Sequence, residues 1–283
     1  MFPGKNIKMI MDRKKINKLK KILKDMGSVI IAFSGGVDSS FLLKVAGNVL
    51  GKNVIAVTAK SPTYPKREFE DAKIIAKSLN CRQIIIDSNE MKIKEFRNNP
   101  KNRCYFCKKE LFLKLISIKN KYNFNFVADG TNYDDLNTFR PGLKALKELE
   151  IRSPLADAGL TKEEIRKYSR LLSLTTWNKP SFACLSSRFP YGEEITKSKL
   201  KKIENAEDFL HSLGFRQVRV RYHYPIARIE IEKEEIPKIL QSNIREKIIK
   251  KLKKIGFEYI TLDLEGYRSG SMDELKESET LHD

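Results

Sequence analysis

The stretch VIIAFSGGVDSSFLLKVAGNVL, residues 29–50, decides the fold. Val29–Phe33 is a short apolar run of the kind buried on both faces of a parallel sheet. From Phe41 to Leu50 the apolar residues fall at 41, 42, 45, 46 and 49, one face of a helix. Between them lies Ser34-Gly35-Gly36-Val37-Asp38-Ser39-Ser40. Two glycines let the backbone turn and approach an anion with no Cβ in the way. Ser34, Ser39 and Ser40 add hydroxyl donors, and the following helix offers free N–H groups and the positive end of its dipole. The loop therefore reads as a phosphate cradle. It lacks the Gly-Lys-Ser/Thr of a Walker loop, whose lysine serves the terminal phosphates. Asp38 is tolerable so close to phosphates if it helps to hold Mg²⁺.

Outward from this loop the pattern alternates. Residues 12–26 form a Lys-rich amphipathic helix with Ile16, Leu19, Ile22 and Leu23 on one face. Val54–Ala59, Ile84–Asp87 and Phe124–Asp129 read as further strands, and Glu68–Leu79 and 108–119 as helices. Strand and helix in this rhythm give an α/β fold with a parallel sheet covered on both faces. Thr161-Lys-Glu-Glu opens another helix as a capping box. Pro180 and Pro190 then punctuate a segment of little periodicity. A second unit follows, with helix 198–213, strands 216–222 and 227–232, helix 234–254 and strand 257–264. The expected domains are 1–180, an α/β nucleotide domain, and 190–270, a smaller α+β module, with 271–283 as a polar, frayed tail.

Composition narrows the classes. Of 283 residues 41% are apolar and 32% charged, which suits a globular chain rather than a disordered one. No stretch approaches the roughly 20 apolar residues of a membrane span, and the first dozen residues lack a signal-peptide pattern, so a cytoplasmic protein is expected. A net charge of +19 allows an RNA partner or a phosphorylated small molecule. Lysines spread over solvated helix faces account for it equally well.

Four cysteines in such a chain point to metal or catalysis before disulfides. Cys81 opens an apolar strand and reads as a small core residue. Cys104 and Cys107 form a C-x-x-C pair, but a structural zinc would need a second pair and there is none. Cys184 stands in Lys179-Pro-Ser-Phe-Ala-Cys-Leu-Ser-Ser-Arg188, where Arg188 would favour its thiolate. Three thiolates suit a [4Fe–4S] cluster with one open iron. Plain thiols at 104 and 107, or Cys184 acting alone as nucleophile, are the competing readings.

Ser34–Ser40 matches the SGGxDS pattern in full, and in this the chain resembles the PP-loop ATP pyrophosphatase superfamily. That resemblance implies cleavage of ATP to AMP and pyrophosphate with adenylation of an acceptor. It also implies nucleotide contacts from Ala32, Ser34, Gly35, Gly36, Asp38, Ser39, Ser40, Thr58 and the turn Asp129-Gly130-Thr131-Asn132. The strings at 179–188, at Asp129–Asn132 with Arg140-Pro-Gly, and at Arg219-Val-Arg-Tyr-His-Tyr-Pro-Ile-Ala-Arg-Ile-Glu230 resemble more narrowly the LarE family, from about residue 12 to about 268. This implies ATP-dependent sulfur transfer to the carboxylates of pyridinium-3,5-biscarboxylic acid mononucleotide in nickel-pincer cofactor synthesis. Its three-cysteine branch implies iron–sulfur ligation by Cys104, Cys107 and Cys184.

Arg219 and Arg221 alternate on a strand, so they share a face with Cα atoms ~6.5–7 Å apart. With Ser187 and Arg188 they would take the substrate's phosphate, steadied by Glu207. Lys108 is placed to neutralise charge during adenylation. A homo-oligomer is the expected assembly. The rival functions are a tRNA thiolation enzyme, which the charge favours but no RNA-binding module supports, an amidotransferase synthetase, and a non-enzymatic nucleotide sensor.

Overall fold

A computed structural model describes residues 13–137, 140–180, 182–268 and 270–272. The first body begins with α1 (Arg13–Met26), β1 (Val29–Ala32) and α2 (Val37–Leu50). It continues through β2 (Val54–Lys60), α3 (Lys66–Ser78), β3 (Arg82–Asp87), the single turn α4 (Lys94–Arg97) and α5 (Arg103–Lys121). After β4 (Phe126–Ala128) come the short α6 (Gly142–Glu148) and α7 (Pro154–Asp157), then α8 (Lys162–Leu171).

The four strands pair in parallel in the order β3-β2-β1-β4. Because side chains alternate along a strand, Val29, Ile31, Val54 and Ala56 pack on one face with Leu19, Leu23, Phe41, Leu42 and Ile165. Ile30, Ile55 and Val57 pack on the other with Phe112, Leu115 and Leu146. Both faces are covered, as the uninterrupted apolar runs required. β1 is central, with β2 on one side and the edge strand β4 on the other, so the order reverses between β1 and β4 and their C-terminal ends open a crevice, the usual ligand site of such sheets.

The second body holds α9 (Lys197–Ser212), β5 (Val218–His223), β6 (Ile226–Ile231), α10 (Ile236–Ile239), α11 (Ser242–Ile255) and β7 (Tyr259–Leu262). β5 and β6 are antiparallel, and β7 lies parallel to β6. Val218, Val220, Ile229 and Ile231 meet Leu200, Ile203, Leu210, Ile248 and Leu252 in a second core.

Four details differ from the sequence reading. The helix placed at 108–119 starts at Arg103, which puts Cys104 and Cys107 on its first turn. The single helix at 234–254 is two, because Gln241 is extended ahead of Ser242 (φ −59°, ψ 131°). Phe96, Met91, Ile93 and Phe106 pack into the second core rather than the first, so the bodies interleave in sequence. Moreover, Ser271, at the start of the expected tail, is buried and donates to Glu230 at 2.8 Å. The remainder, 273–283, lies outside the described residues.

At Gly35 the backbone has φ +63°, and a Cβ there would lie 2.9 Å from the Cα and Cβ of Ala72 on α3. Gly47, by contrast, sits in α2 with open space around its Cα. Gly35→Ala is expected to destabilise the chain by about 2 kcal/mol through strain and contact, and Gly47→Ala to stabilise it by about 0.5–1 kcal/mol through helix propensity. Urea melts of the two variants check the opposite signs.

Candidate active site

Gly36, the N-cap of α2, has no side chain to satisfy the first amides of that helix, so those donors and the helix dipole face the crevice. Ser34 Oγ and Ser39 Oγ lie 3.2 Å apart, and Ser39 Oγ reaches Gly36 O at 3.3 Å. Ser40 Oγ is buried with no hydrogen-bond partner. The turn after β4 presses against this loop, for a Cβ on Gly130 would come within 3.0 Å of Ser39 N.

The crevice is a cleft of about 430 Å³. Ala32, Ser34, Gly36, Asp38, Ser39, Thr58, Asp129, Gly130 and Thr131 line it, and so do Cys107 and Lys108. Gly35, Ser40 and Asn132 are not part of that lining. The Thr58 hydroxyl is already spent: it donates to Phe33 O at 2.8 Å and accepts from Gln83 at 2.8 Å. Asp129 is a hub. Its carboxylate accepts from Thr131 N (3.1 Å), Thr131 Oγ1 (2.6 Å), Ser153 Oγ (2.8 Å) and Lys108 Nζ (3.2 Å). Lys108 thus enters the nucleotide cleft from the cysteine helix.

Asp38 is paired with Lys162 and lies 3.5 Å from Asn132 Nδ2. Lys162 went unassigned in the sequence, although a signal was present. It is the first residue of α8, behind the Thr161–Glu164 capping box, where a cation opposes the helix dipole. The Asp38 carboxylate offsets that opposition and holds the lysine beside the glycine loop.

The cysteines gather at the seam between the bodies. Cys104 and Cys107 come from the start of α5. Cys184 comes from the segment that crosses between the bodies, anchored by Leu185 N to Thr63 O at 2.8 Å. Burial, with Cys184, Glu90 and Cys104 nearby, pushes the Cys107 thiol well above its usual range. Cys104 also feels Cys184, so the three thiols share one neighbourhood. Among the described residues no group of three His, Cys, Asp or Glu is disposed to hold a single metal ion. Cys81 packs against the first core, away from this seam.

The residues expected to take a phosphate lie next to Cys184. Arg188 is wholly buried and makes five hydrogen bonds: two to Glu207 (2.8 and 3.0 Å), and one each to Ala183 O (2.7 Å), Cys184 O (3.1 Å) and Ser187 Oγ (2.9 Å). The expectation that Arg188 activates the Cys184 thiol is thereby replaced. Its guanidinium braces the backbone of the cysteine loop. Glu207 also accepts from Val220 N at 2.9 Å. Burial works to raise the Glu207 carboxyl, but the charges of Arg188 and Arg219 and these hydrogen bonds outweigh it and hold it below its usual range. Arg219 is pushed down to about 10 by burial and by Arg188. Arg221 is gripped by both oxygens of Glu230, at 2.9 and 2.7 Å.

A family model described as NAD synthase matches residues 12–111, the segment carrying the glycine loop. The pyridinium-3,5-bisthiocarboxylic acid mononucleotide synthase of Lactiplantibacillus plantarum is 40% identical over 253 residues, covering 89% of this chain and 91% of that one. The chain belongs to the LarE family. Two uncharacterized proteins fall with it: one from Synechocystis sp., 45% identical over 91% of this chain and 96% of its own, and one from Methanocaldococcus jannaschii, 39% identical over 90% and 98%. Family membership supports the use of ATP. No helix among the described residues is long and apolar enough to cross a membrane.

Lys162 supplies the check on this site. Lys162→Ala is expected to weaken ATP binding about tenfold, the worth of one charge-assisted contact. Its partly exposed pair with Asp38 contributes little to stability, so the melting temperature should barely move. Calorimetric titration with Mg·ATP measures the first quantity and a thermal melt the second.

Proposed function

We propose that this chain is an ATP-dependent sulfurtransferase that adenylates the carboxylates of pyridinium-3,5-biscarboxylic acid mononucleotide and exchanges an oxygen for sulfur. The observation that carries the reading is the placement of Lys108 and Cys107 on one helix turn, lining the same cleft as the phosphate loop. Nucleotide activation and sulfur chemistry thus share one wall.

In this reading ATP lays its phosphates on the amides of α2, with the hydroxyls of Ser34 and Ser39 beside them. Asp38 and the phosphates would hold Mg²⁺, and Lys162, released from Asp38, would follow the pyrophosphate. A substrate carboxylate oxygen attacks the α-phosphorus, and pyrophosphate leaves with the bonding pair. Lys108, already oriented by Asp129, offsets charge on the α-phosphate. Fixed positive groups in a partly desolvated cleft lower the barrier by stabilising the developing charge. The substrate's phosphate rests in the adjoining pocket of Ser187, Arg219 and Arg221, whose walls Arg188 and Glu207 brace.

Cys104, Cys107 and Cys184 would be the three thiolates holding a [4Fe–4S] group, a reading supported by their donor chemistry and their electrostatic influence on one another. When bound, it would supply a site from which sulfide reaches the adenylated carbonyl. AMP leaves as sulfur takes its place. A cytoplasmic homo-oligomer acting on a small molecule is part of the same proposal.

Anaerobic purification with iron and sulfide analysis tests the cysteine assignment. Wild type should carry close to four irons per chain with visible absorption that dithionite bleaches, and Cys104→Ala should lose most of both. A colourless, iron-free wild type that still forms thiocarboxylate would assign the sulfur to Cys184 itself. Copurifying tRNA with a thionucleoside product would favour the RNA rival.

A further inference from the structure

A second cavity, of about 180 Å³, adjoins the Cys184 loop through Ala183 and Ser187. Arg103, Arg219, Arg221, Arg268 and Ser187 line it, and no acidic residue does so among the described residues. The guanidiniums are not equivalent. Arg221 is neutralised by Glu230, and its Nη1 is spent on Ser187 O at 2.9 Å. Arg268 pairs with Glu265 at 2.7 Å and lies 3.6 Å from Asp263. Arg103 has neither arrangement. It is 7% exposed, and its contacts are Asn99 Oδ1 at 3.0 Å and the face of Tyr191 at 5.4 Å. Its Nε is buried with no hydrogen-bond partner, and no carboxylate among the described residues lies within ion-pairing distance.

A buried guanidinium without a counter-ion is costly in a folded chain. Here the cost is met at a cavity wall shared with Arg219 and Ser187. Arg103 is moreover the first residue of α5, a helix whose first turn contains no acid, so the charge stands against the helix dipole as well. Two unfavourable terms at one side chain point outward, to an anion that arrives as ligand.

We infer that Arg103 is a substrate-binding residue, which with Arg219 and Ser187 takes the phosphate of the mononucleotide. Arg221 is then a positioning residue, locked by Glu230 and holding the Ser187 carbonyl. This rests on the function proposed above. It adds that the helix carrying Cys104 and Cys107 also reads the phosphate, so that seating the phosphate sets the acceptor carboxylate relative to the cysteines. The competing role is a purely structural one, in which Arg103 with Asn99 ties α5 to the 189–190 backbone, since Asn99 Nδ2 donates to Pro190 O at 2.6 Å.

The experiment compares binding of pyridinium-3,5-biscarboxylic acid mononucleotide and of its dephosphorylated nucleoside, by calorimetry on the full chain without ATP. Wild type should favour the mononucleotide strongly. Arg103→Met should lose about 30-fold on the mononucleotide, as expected for one buried charge-assisted pair, and almost nothing on the nucleoside. Its melting temperature should stay level or rise, because an unpaired buried charge has gone. Equal losses on both ligands, unchanged discrimination, or a lowered melting temperature with discrimination intact would each overturn the assignment in favour of the structural role. Should Arg103→Met fail to fold, Arg103→Lys decides, since a single ammonium should still narrow the discrimination and an unchanged value overturns the claim. A wild type indifferent to the phosphate would instead overturn the function on which the inference rests.

Discussion

The first amides of α2 set the terms for everything around them. Gly36 caps that helix without a side chain, so its dipole and donors need an anion. The rest of the first body is arranged to leave that end open while closing in on it from each side. Ala72 of α3 leaves no room for a Cβ on Gly35, and Ser39 almost none on Gly130. Gly35 and Gly130 are therefore places where the phosphate loop meets its two neighbours. β1 and β2 are fastened at their ends by Thr58, which reaches Phe33 O. The loop is held from outside, so little of its shape has to be acquired when nucleotide binds.

The second constraint is charge burial at the seam of the two bodies. Arg188 with Glu207, and Arg221 with Glu230, are buried pairs with both partners hydrogen-bonded. Such pairs add little net stability, yet removing one partner is expensive. Their use here is positional. They fix the 183–188 backbone against β5 and α9, in a segment whose Phe182 lines the cleft beside the glycine loop and whose Ala183 and Ser187 line the arginine-rich pocket. Leu185 bonded to Thr63 and Phe182 against Tyr64 tie the same segment to the first body. One crossing segment thus borders the loop-lined cleft, the cysteine pair and the arginine-lined pocket together.

Much of this was legible in the sequence. The strand–loop–helix at 29–50, the parallel sheet, the capping box at Thr161 and the α+β module all follow from periodicity, glycines and turn chemistry. The seam was harder to read. Met91, Ile93 and Phe96 carry no periodic pattern that tells which core they join, and contact with the second body decides it. The arginines at 188, 219 and 221 looked alike because pairing depends on carboxylates distant in sequence, Glu207 and Glu230. Lys162 and Arg103 share a signal that was readable: a cation at the first position of a helix, against the dipole. In a chain so rich in lysine and arginine, that placement is more informative than the total charge.

Adenylation of a carboxylate by the phosphate loop is the central claim, and isotope transfer tests it most directly. Mononucleotide substrate labelled with ¹⁸O in its carboxylates is incubated with the protein, Mg·ATP and a sulfur source, and the nucleotide products are weighed by mass spectrometry. AMP should carry one ¹⁸O on its phosphorus, with unlabelled pyrophosphate formed in equal amount. Unlabelled AMP, or ADP and orthophosphate in place of AMP and pyrophosphate, would contradict it.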